Sequence, residues 1–356
     1  MLIFAWSGFP QYAARCIGAL AKSMSEPVLV VATRPAVPVE GMGKVCNCPI
    51  VWIDGSTLQP FNLSTIQPFT SLTLFVSGWT VPAFNELRDQ VRAAGGQVIC
   101  MNDGNYLGLK SCKVERLKGL GWGGWLKQLA RAVVFRLKYR KLFDGYLVPG
   151  KSGRRLMRFY GVPDEKIAEG MYSADESLFD PAKVEVTKKE KRIVYVGQYI
   201  DRKNVLAVCQ AFEESGIAAD GWTLEMYGSG PLKDQLPYAQ PFVQPEQLPA
   251  IYRRAKAFIL ASKEEHWGLV VHEAALSGCY LMLSNRVGAA EDLLGEKNGV
   301  EFDPFRQEEM TAAFRRLAAM DESAFAAAAR VSMELGRQRG LGSFVAGVNR
   351  LRREGE

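Results

Sequence analysis

The stretch Ala257-Phe258-Ile259-Leu260-Ala261-Ser262-Lys263-Glu264-Glu265-His266-Trp267-Gly268-Leu269-Val270-Val271-His272-Glu273-Ala274-Ala275-Leu276-Ser277-Gly278 decides the reading of the fold. Its opening apolar run is too short for a helix, and a polar loop separates it from an apolar segment that stops at Gly278. Strand, loop and helix in that order form the repeating unit of a parallel sheet, whose strands are apolar on both faces because helices cover them. Glu265 falls in the loop, and Glu273 lies about one turn inside the helix. Between them Gly268 lets backbone approach a ligand closely, while the unpaired N–H groups of Leu269 and Val270 turn the positive helix end toward an anion. The segment thus offers carboxylates to sugar hydroxyls and backbone donors to phosphate.

Outward from this stretch the same alternation continues. The second half predicts strands over 192–196, 223–227, 257–261, 280–284 and 300–302, with helices over 205–214, 248–255 and 269–276 and a helical end. The first half predicts strands over 2–7, 28–33, 72–77, 97–101 and 146–148, with helices over 11–24, 82–94, 124–141 and 153–160. Residues 35–70, rich in Pro and polar residues, give no clear pattern. A charged stretch over 180–191, containing Pro181 and Lys188-Lys189-Glu190-Lys191, reads as a linker. A chain of 356 residues exceeds what one core usually supports. The expectation is an α/β protein of two Rossmann-like domains, 1–181 and 182–341, with 342–356 a C-terminal helix packing on the first.

A hydrophobic content of 48% with 23% charged residues excludes wholesale disorder. No apolar run reaches the roughly 18 residues needed to cross a bilayer, and Met1-Leu2-Ile3-Phe4-Ala5-Trp6 lacks the basic flank and length of a signal peptide. A cytoplasmic location is expected. Seven cysteines without CxxC spacing suggest neither a disulfide framework nor a zinc site, and Cys46-Asn47-Cys48 reads as a coincidence of a loop. His266 and His272 are too few for a histidine-rich metal centre, so no metal is expected.

Two nucleotide motifs fail on context. Gly145-Tyr146-Leu147-Val148-Pro149-Gly150-Lys151-Ser152 fits Walker A, yet its variable positions hold the best strand residues, leaving little free backbone for a phosphate. Gly119-Leu120-Gly121-Trp122-Gly123-Gly124 fits GxGxxG, but no strand precedes it.

The two glutamates of Glu265-His266-Trp267-Gly268-Leu269-Val270-Val271-His272-Glu273-Ala274 resemble the signature of family 4 retaining glycosyltransferases of the GT-B fold, of the bacterial surface-polysaccharide type. Further matching segments, in the family's order, are Tyr195-Val196-Gly197-Gln198-Tyr199, Arg202-Lys203-Asn204, Met226-Tyr227-Gly228-Ser229-Gly230-Pro231 and Val287-Gly288-Ala289-Ala290-Glu291. The resemblance implies a donor cleft between the two domains and a nucleotide diphosphate sugar, UDP or GDP type, as co-substrate. It implies no other cofactor and no metal. Arg202 and Lys203 would clamp the pyrophosphate, Glu265 the transferred sugar and Glu273 the ribose, with Gly8, Gly197, Gly228, Trp267, Gly268, Leu269 and Val270 lining the donor site.

The chain departs from the family twice. Gln198 stands where relatives carry Arg, and Arg202 is the candidate to supply that charge. The first domain holds no His at all, so in Met101-Asn102-Asp103-Gly104-Asn105 the candidate for contacting the sugar and acceptor is Asp103, with Asn102 second and a plain Asp-Gly turn the alternative.

Charge is concentrated in one place. Residues 104–143 hold ten Lys or Arg against Glu115 alone, so they carry +9 of a net +6. Leu126, Leu129, Ala130, Val133 and Leu137 share one face of a predicted helix there, flanked by Lys127, Arg131 and Lys138 and preceded by Trp122 and Trp125. This predicts membrane binding by Trp122, Trp125, Lys127, Arg131 and Lys138 on an anionic leaflet, the inner face of the cell membrane. The other reading packs the apolar face into the domain. The clustered aromatics do not suit nucleic acid. The expected partners are the donor, a saccharide or lipid-linked acceptor and the anionic membrane. The rivals are a membrane-associated interaction protein with a vestigial donor site and a GT-B-fold nucleotide-sugar epimerase.

Overall fold

Leu2–Trp6 forms β1, with all five residues buried, and it lies parallel between β2 (Val28–Thr33) and β4 (Thr73–Ser77). With β3 (Ile50–Ile53), β5 (Gln97–Met101), β6 (Gly145–Val148) and β7 (Ile167–Glu169) it makes a seven-stranded sheet in the order β3-β2-β1-β4-β5-β6-β7. Alternate residues of β1 feed the cores on its two faces. Leu2, Phe4 and Trp6 pack with α1 (Gln11–Ser23), whereas Ile3 and Ala5 pack with α2 (Pro82–Ala93) and α3 (Lys151–Phe159). The computed structural model describes residues 1–35, 45–63, 71–78, 81–104, 126, 129–241 and 243–352. It divides into two units, Met1–Ser173 with Leu341–Glu356, and Ala174–Gly340.

The second unit repeats the plan. β8 (Glu190–Val196), β9 (Thr223–Tyr227), β10 (Ala239–Gln240), β11 (Ala255–Leu260), β12 (Tyr280–Ser284) and β13 (Gly299–Phe302) form a parallel sheet in the order β10-β9-β8-β11-β12-β13. Its helices are α4 (Val205–Ser215), α5 (Leu248–Arg254), α6 (Leu269–Leu276), α7 (Ala290–Leu293), α8 (Gln307–Ala318) and α9 (Glu322–Gln338). The last helix, α10 (Leu341–Leu351), belongs to the first unit, where Phe344, Val348 and Leu351 join the core beside α1. Two parallel α/β units of this kind match the fold read from the sequence.

The Walker-like octapeptide is strand β6 followed by α3, and Ser152 is buried. Residues 174–191 pack within the second unit, so the division falls at Ser173/Ala174 and not at 181/182. Buried polar groups tie residues 174–191 to the second unit. The Lys189 ammonium donates to the carbonyls of Tyr252 (3.1 Å) and Ala255 (2.7 Å), and burial lowers its pKa. The Ala174 N–H donates to His272 Nδ1 at 3.0 Å, which leaves the proton on Nε2 to reach the Gly336 carbonyl at 2.8 Å.

Burial pushes the His272 pKa down to about 4. The unfolded chain therefore takes up this proton first, and the folded form follows only near pH 4. Stability contributed by neutral His272 is complete above about pH 6.5 and falls by about 3 kcal/mol on acidification to pH 4. Urea titrations across that range should show the gap between wild type and His272→Gln narrowing by about this amount. A gap constant with pH would contradict the buried neutral imidazole.

Candidate active site

In the second unit the strand order reverses at β8, whose neighbours β9 and β11 lie on opposite sides. An open parallel sheet takes its ligands beyond the carboxyl ends of the strands at such a point. The chain leaves β8 through Gly197-Gln198 and a 3-10 turn, Asp201–Lys203, and leaves β11 through Ser262 to Gly268. The two loops are laced together. The Lys263 N–H donates to the Arg202 carbonyl (2.8 Å), Arg202 Nη1 to the Glu264 carbonyl (2.5 Å), and Lys263 Nζ to Asp201 Oδ1 (2.7 Å). A third loop, after β12, closes on them: the Glu265 N–H donates to the Arg286 carbonyl, and the Gly288 and Ala289 N–H groups donate to the carbonyls of Glu265 and Trp267, each at 3.0 Å.

Within this frame Lys203, 9% exposed, forms an ion pair with Glu265. The Ser262 hydroxyl donates to the same carboxylate oxygen at 3.3 Å, and Arg202 Nη1 stands 3.8 Å from it. Three of the four groups expected to grip a phosphorylated sugar thus meet at one carboxylate. The fourth, Glu273, sits on α6 and accepts from the buried Tyr252 phenol at 3.2 Å. Neither Ser262 nor Tyr252 was singled out from the sequence. Their signal is weak, because a serine in a loop and a tyrosine in a helix are common.

The glycines have separate reasons. Gly268 opens α6 with φ 90°, a left-handed conformation, and as the N-cap it supplies no side-chain bond to the helix's first turn. A Cβ on Gly228 would stand 1.8 Å from the Gly197 carbonyl oxygen, so β8 and β9 end backbone against backbone. Leu269 and Val270 are half-buried in the first turn of α6. Trp267 is 2% exposed, so its backbone is what that loop can offer a ligand; its indole N–H has no hydrogen-bond partner among the described residues. The Gln198 side chain is exposed, while its carbonyl accepts from Tyr195 at 2.8 Å.

Gly8 and Asp103 lie in the first unit. Gly8 has φ 59° with open space where a Cβ would be, and its N–H donates to Thr33 Oγ1 at 2.7 Å. Ser7 and Phe9 donate to Ser77 Oγ (3.0 Å) and the Thr33 carbonyl (3.1 Å), so neighbouring strand ends engage the amides of this turn. Asn102 is buried and its side chain accepts from the Gly104 N–H at 2.9 Å, which closes the turn and leaves Asp103 exposed.

Trp122, Trp125, Lys127 and the 119–124 motif lie outside the described residues. Arg131 and Lys138 are exposed on a helical segment that runs from residue 129 through a π turn, Phe135–Tyr139, and a 3-10 turn, Arg140–Leu142. The face it buries is not the predicted one. Ala132 and Phe135 are buried, with Tyr139 and Leu142 against the same core, whereas Leu126, Val133 and Val134 are about half exposed and Leu137 is 75% exposed. Phe135 stacks on Tyr160 at 4.8 Å, and Arg136 and Arg140 donate to the carbonyls of Phe159, Tyr160 and Gly161 at the end of α3. Those contacts turn the apolar ridge outward.

Removing one partner of a buried pair leaves the other charge unmatched, at a cost of about 3 kcal/mol. Glu265→Ala should lose roughly that much in urea unfolding, and Glu265→Ala combined with Lys203→Met should regain much of it. Additive losses would show that the two groups do not depend on each other.

Residues 177–330 match the family model described as Glycosyl transferases group 1. A search of curated proteins gives no match. Among solved structures, the chain is similar to Anabaena HepE in complex with UDP, at a TM-score of 0.70 and 14% identity, covering 98% of each chain. It is also similar to the sucrose-phosphate synthase of Thermosynechococcus elongatus (TM-score 0.67, 14% identity, 99% of this chain and 98% of that one). A glycosyltransferase from Rickettsia africae aligns at a TM-score of 0.69 and 13% identity, over 97% of this chain and 96% of that one. At such identities the likeness shows the fold, which is GT-B. With the family match over the second unit, it supports a glycosyltransferase of the GT-B type.

Proposed function

We propose that this chain is a retaining glycosyltransferase that moves a sugar from a UDP- or GDP-linked donor to a saccharide or lipid-linked acceptor at the cytoplasmic membrane face. The observation that carries the reading is the meeting of Lys203, Arg202 and Glu265 at the switch point of the second sheet, inside the segment that matches the family model. When the donor binds, its diphosphate takes over Lys203 and Arg202, and Glu265 turns to the hydroxyls of the transferred sugar. The open first turn of α6 receives phosphate oxygens through Leu269 and Val270, and Glu273 accepts from the ribose. As the glycosidic bond breaks, charge grows on the leaving diphosphate, where the two cations are fixed to meet it. The acceptor oxygen bonds to the anomeric carbon on the face the diphosphate leaves, and its proton passes to a phosphate oxygen. No cofactor beyond the donor itself enters this scheme. HepE solved with UDP, and with UDP and glucose, makes UDP-glucose the first donor to try.

A thermal-shift panel of nucleotide sugars should show a nucleotide-specific rise for wild type that is lost in Glu273→Ala. Once the donor is identified, Lys203→Ala should lower turnover by about 10²–10³-fold. Silence of wild type across UDP and GDP sugars would refute the donor site.

The membrane side of the reading is supported by the outward ridge of Leu126, Val133, Val134 and Leu137, with Arg131, Lys138 and Lys141 exposed on the same segment. No described helix is long and apolar enough to cross a membrane, so contact in this reading is peripheral. Co-sedimentation with phosphatidylglycerol-containing vesicles should weaken about tenfold or more in Leu137→Glu and in the double variant Arg131→Gln, Lys138→Gln. Binding unchanged in both would reject that face.

A further inference from the structure

Ahead of β3 the fold gives Cys46-Asn47-Cys48, read from the sequence as a coincidence of a loop, a defined geometry. The two sulfur atoms stand 3.0 Å apart, about 1 Å more than the length of an S–S bond. Asn47 between them is left-handed, with φ 53°, a conformation that asparagine visits more readily than most residues. Both cysteines belong to the first unit, and no step of the proposed transfer uses either. Among the described cysteines only Cys48 is partly exposed; Cys16, Cys46, Cys100, Cys209 and Cys279 are buried.

The turn is held from several sides. Cys46 is part of the core that α1 shares with β1 and β2, and Cys48 packs half-buried against the same cluster. A Cβ on Gly18 of α1 would stand 2.5 Å from the Val45 carbonyl oxygen and 3.1 Å from that of Cys46, so helix and turn meet backbone against backbone. Beyond Cys48 the Pro49 carbonyl accepts from the Val30 N–H at 3.0 Å, where β3 begins to pair with β2. The fold therefore holds the sulfur atoms together, and the entropy of bringing two reacting groups into contact is already met. The thiols are also unequal. Charge is better placed on the partly exposed Cys48, so buried Cys46 donates its S–H to Cys48. That bond lowers the Cys48 pKa and raises that of Cys46. Because the thiolate is the attacking form, Cys48 is the nucleophile and Cys46 the resolving thiol.

We propose that Cys46 and Cys48 are a reversible oxidation site, at which hydrogen peroxide closes the pair into an intrachain disulfide. The Cys48 thiolate attacks one peroxide oxygen; an S–O bond forms as the O–O bond breaks, and the released hydroxide becomes water with the proton Cys48 gave up. The Cys46 sulfur then attacks the sulfur of this sulfenic acid. The S–S bond forms, the S–O bond breaks, and the hydroxyl leaves as a second water with the Cys46 proton. Two thiols have lost two hydrogens and two electrons, and the peroxide has gained them. A dithiol reductant reverses the change by exchange and is itself oxidised to a disulfide.

Trypsin cuts after Lys44 and Arg88, and the peptide between them, 45–88, contains these two cysteines and no other. Folded wild-type protein treated with a slight excess of hydrogen peroxide, then unfolded in iodoacetamide and digested, should yield this peptide unalkylated and two hydrogens lighter. After dithiothreitol both its thiols should alkylate again, while Cys16, Cys100, Cys209 and Cys279 stay fully alkylated throughout. The same oxidation in urea-unfolded protein should be about tenfold slower or more, because the preset contact is lost. In Cys46→Ser the Cys48 sulfenic acid has no resolving thiol, and dimedone should capture it; in Cys48→Ser capture at Cys46 should be lost. A wild-type peptide that keeps both thiols under peroxide, or that closes no faster folded than unfolded, overturns the site, and neither readout depends on how the variants fold. Dimedone capture at Cys46 in Cys48→Ser, with none at Cys48 in Cys46→Ser, would overturn the assignment of the attacking thiol.

Discussion

An ammonium group taken out of water costs several kcal/mol unless partners compensate it, and in the second unit Lys203 meets that constraint with a carboxylate. Its partner, Glu265, comes from a different loop, so the pair can form only where the exits of β8 and β11 lie side by side. Parallel strands that start from a common reversal of order deliver both exits to one edge. The backbone bonds between the loops then hold the two side chains at contact distance. Charge pairing, strand order and loop lacing therefore act as one device. In the donor-site reading proposed above, the pair holds cations and carboxylate where phosphates and hydroxyls of a ligand would take both over.

Most of this architecture is legible in the sequence because central parallel strands are buried on both faces and read as unbroken apolar runs, as in β1, β4 and β11. The strands that escaped notice are β3, β7 and β10. Each is at a sheet edge, has four residues or fewer, and lacks the double-sided burial that makes the signal. The region predicted as a linker misled for a different reason. Lys189 and its charged neighbours look like a solvated stretch, but the Lys189 ammonium is buried against the carbonyls that end α5 and start β11. Composition counts charges without registering which of them find carbonyl partners.

The site follows the same division. Lys203, Glu265 and Glu273 could be read because the motif fixes their place along the chain, whereas Ser262 and Tyr252 act through side-chain contacts that spacing does not encode. The choice between Asn102 and Asp103 was likewise open in the sequence. In the structure the Asn102 amide oxygen accepts from the Gly104 N–H and is engaged in the turn, while Asp103 is exposed.

The helical segment after residue 129 shows what a helical wheel leaves undetermined. Its apolar residues occupy two faces, one through Ala132 and Phe135 and the other through Val133 and Leu137, and periodicity alone permits either to pack inward. The aromatic stack of Phe135 on Tyr160 favours the first. Arg136 and Arg140 add to it, because the end of α3 has carbonyls without helical partners and these guanidinium groups satisfy them. Two of the basic residues that mark the segment in the sequence thus fasten it to the unit, and the outward lipid-like ridge follows from where they are anchored.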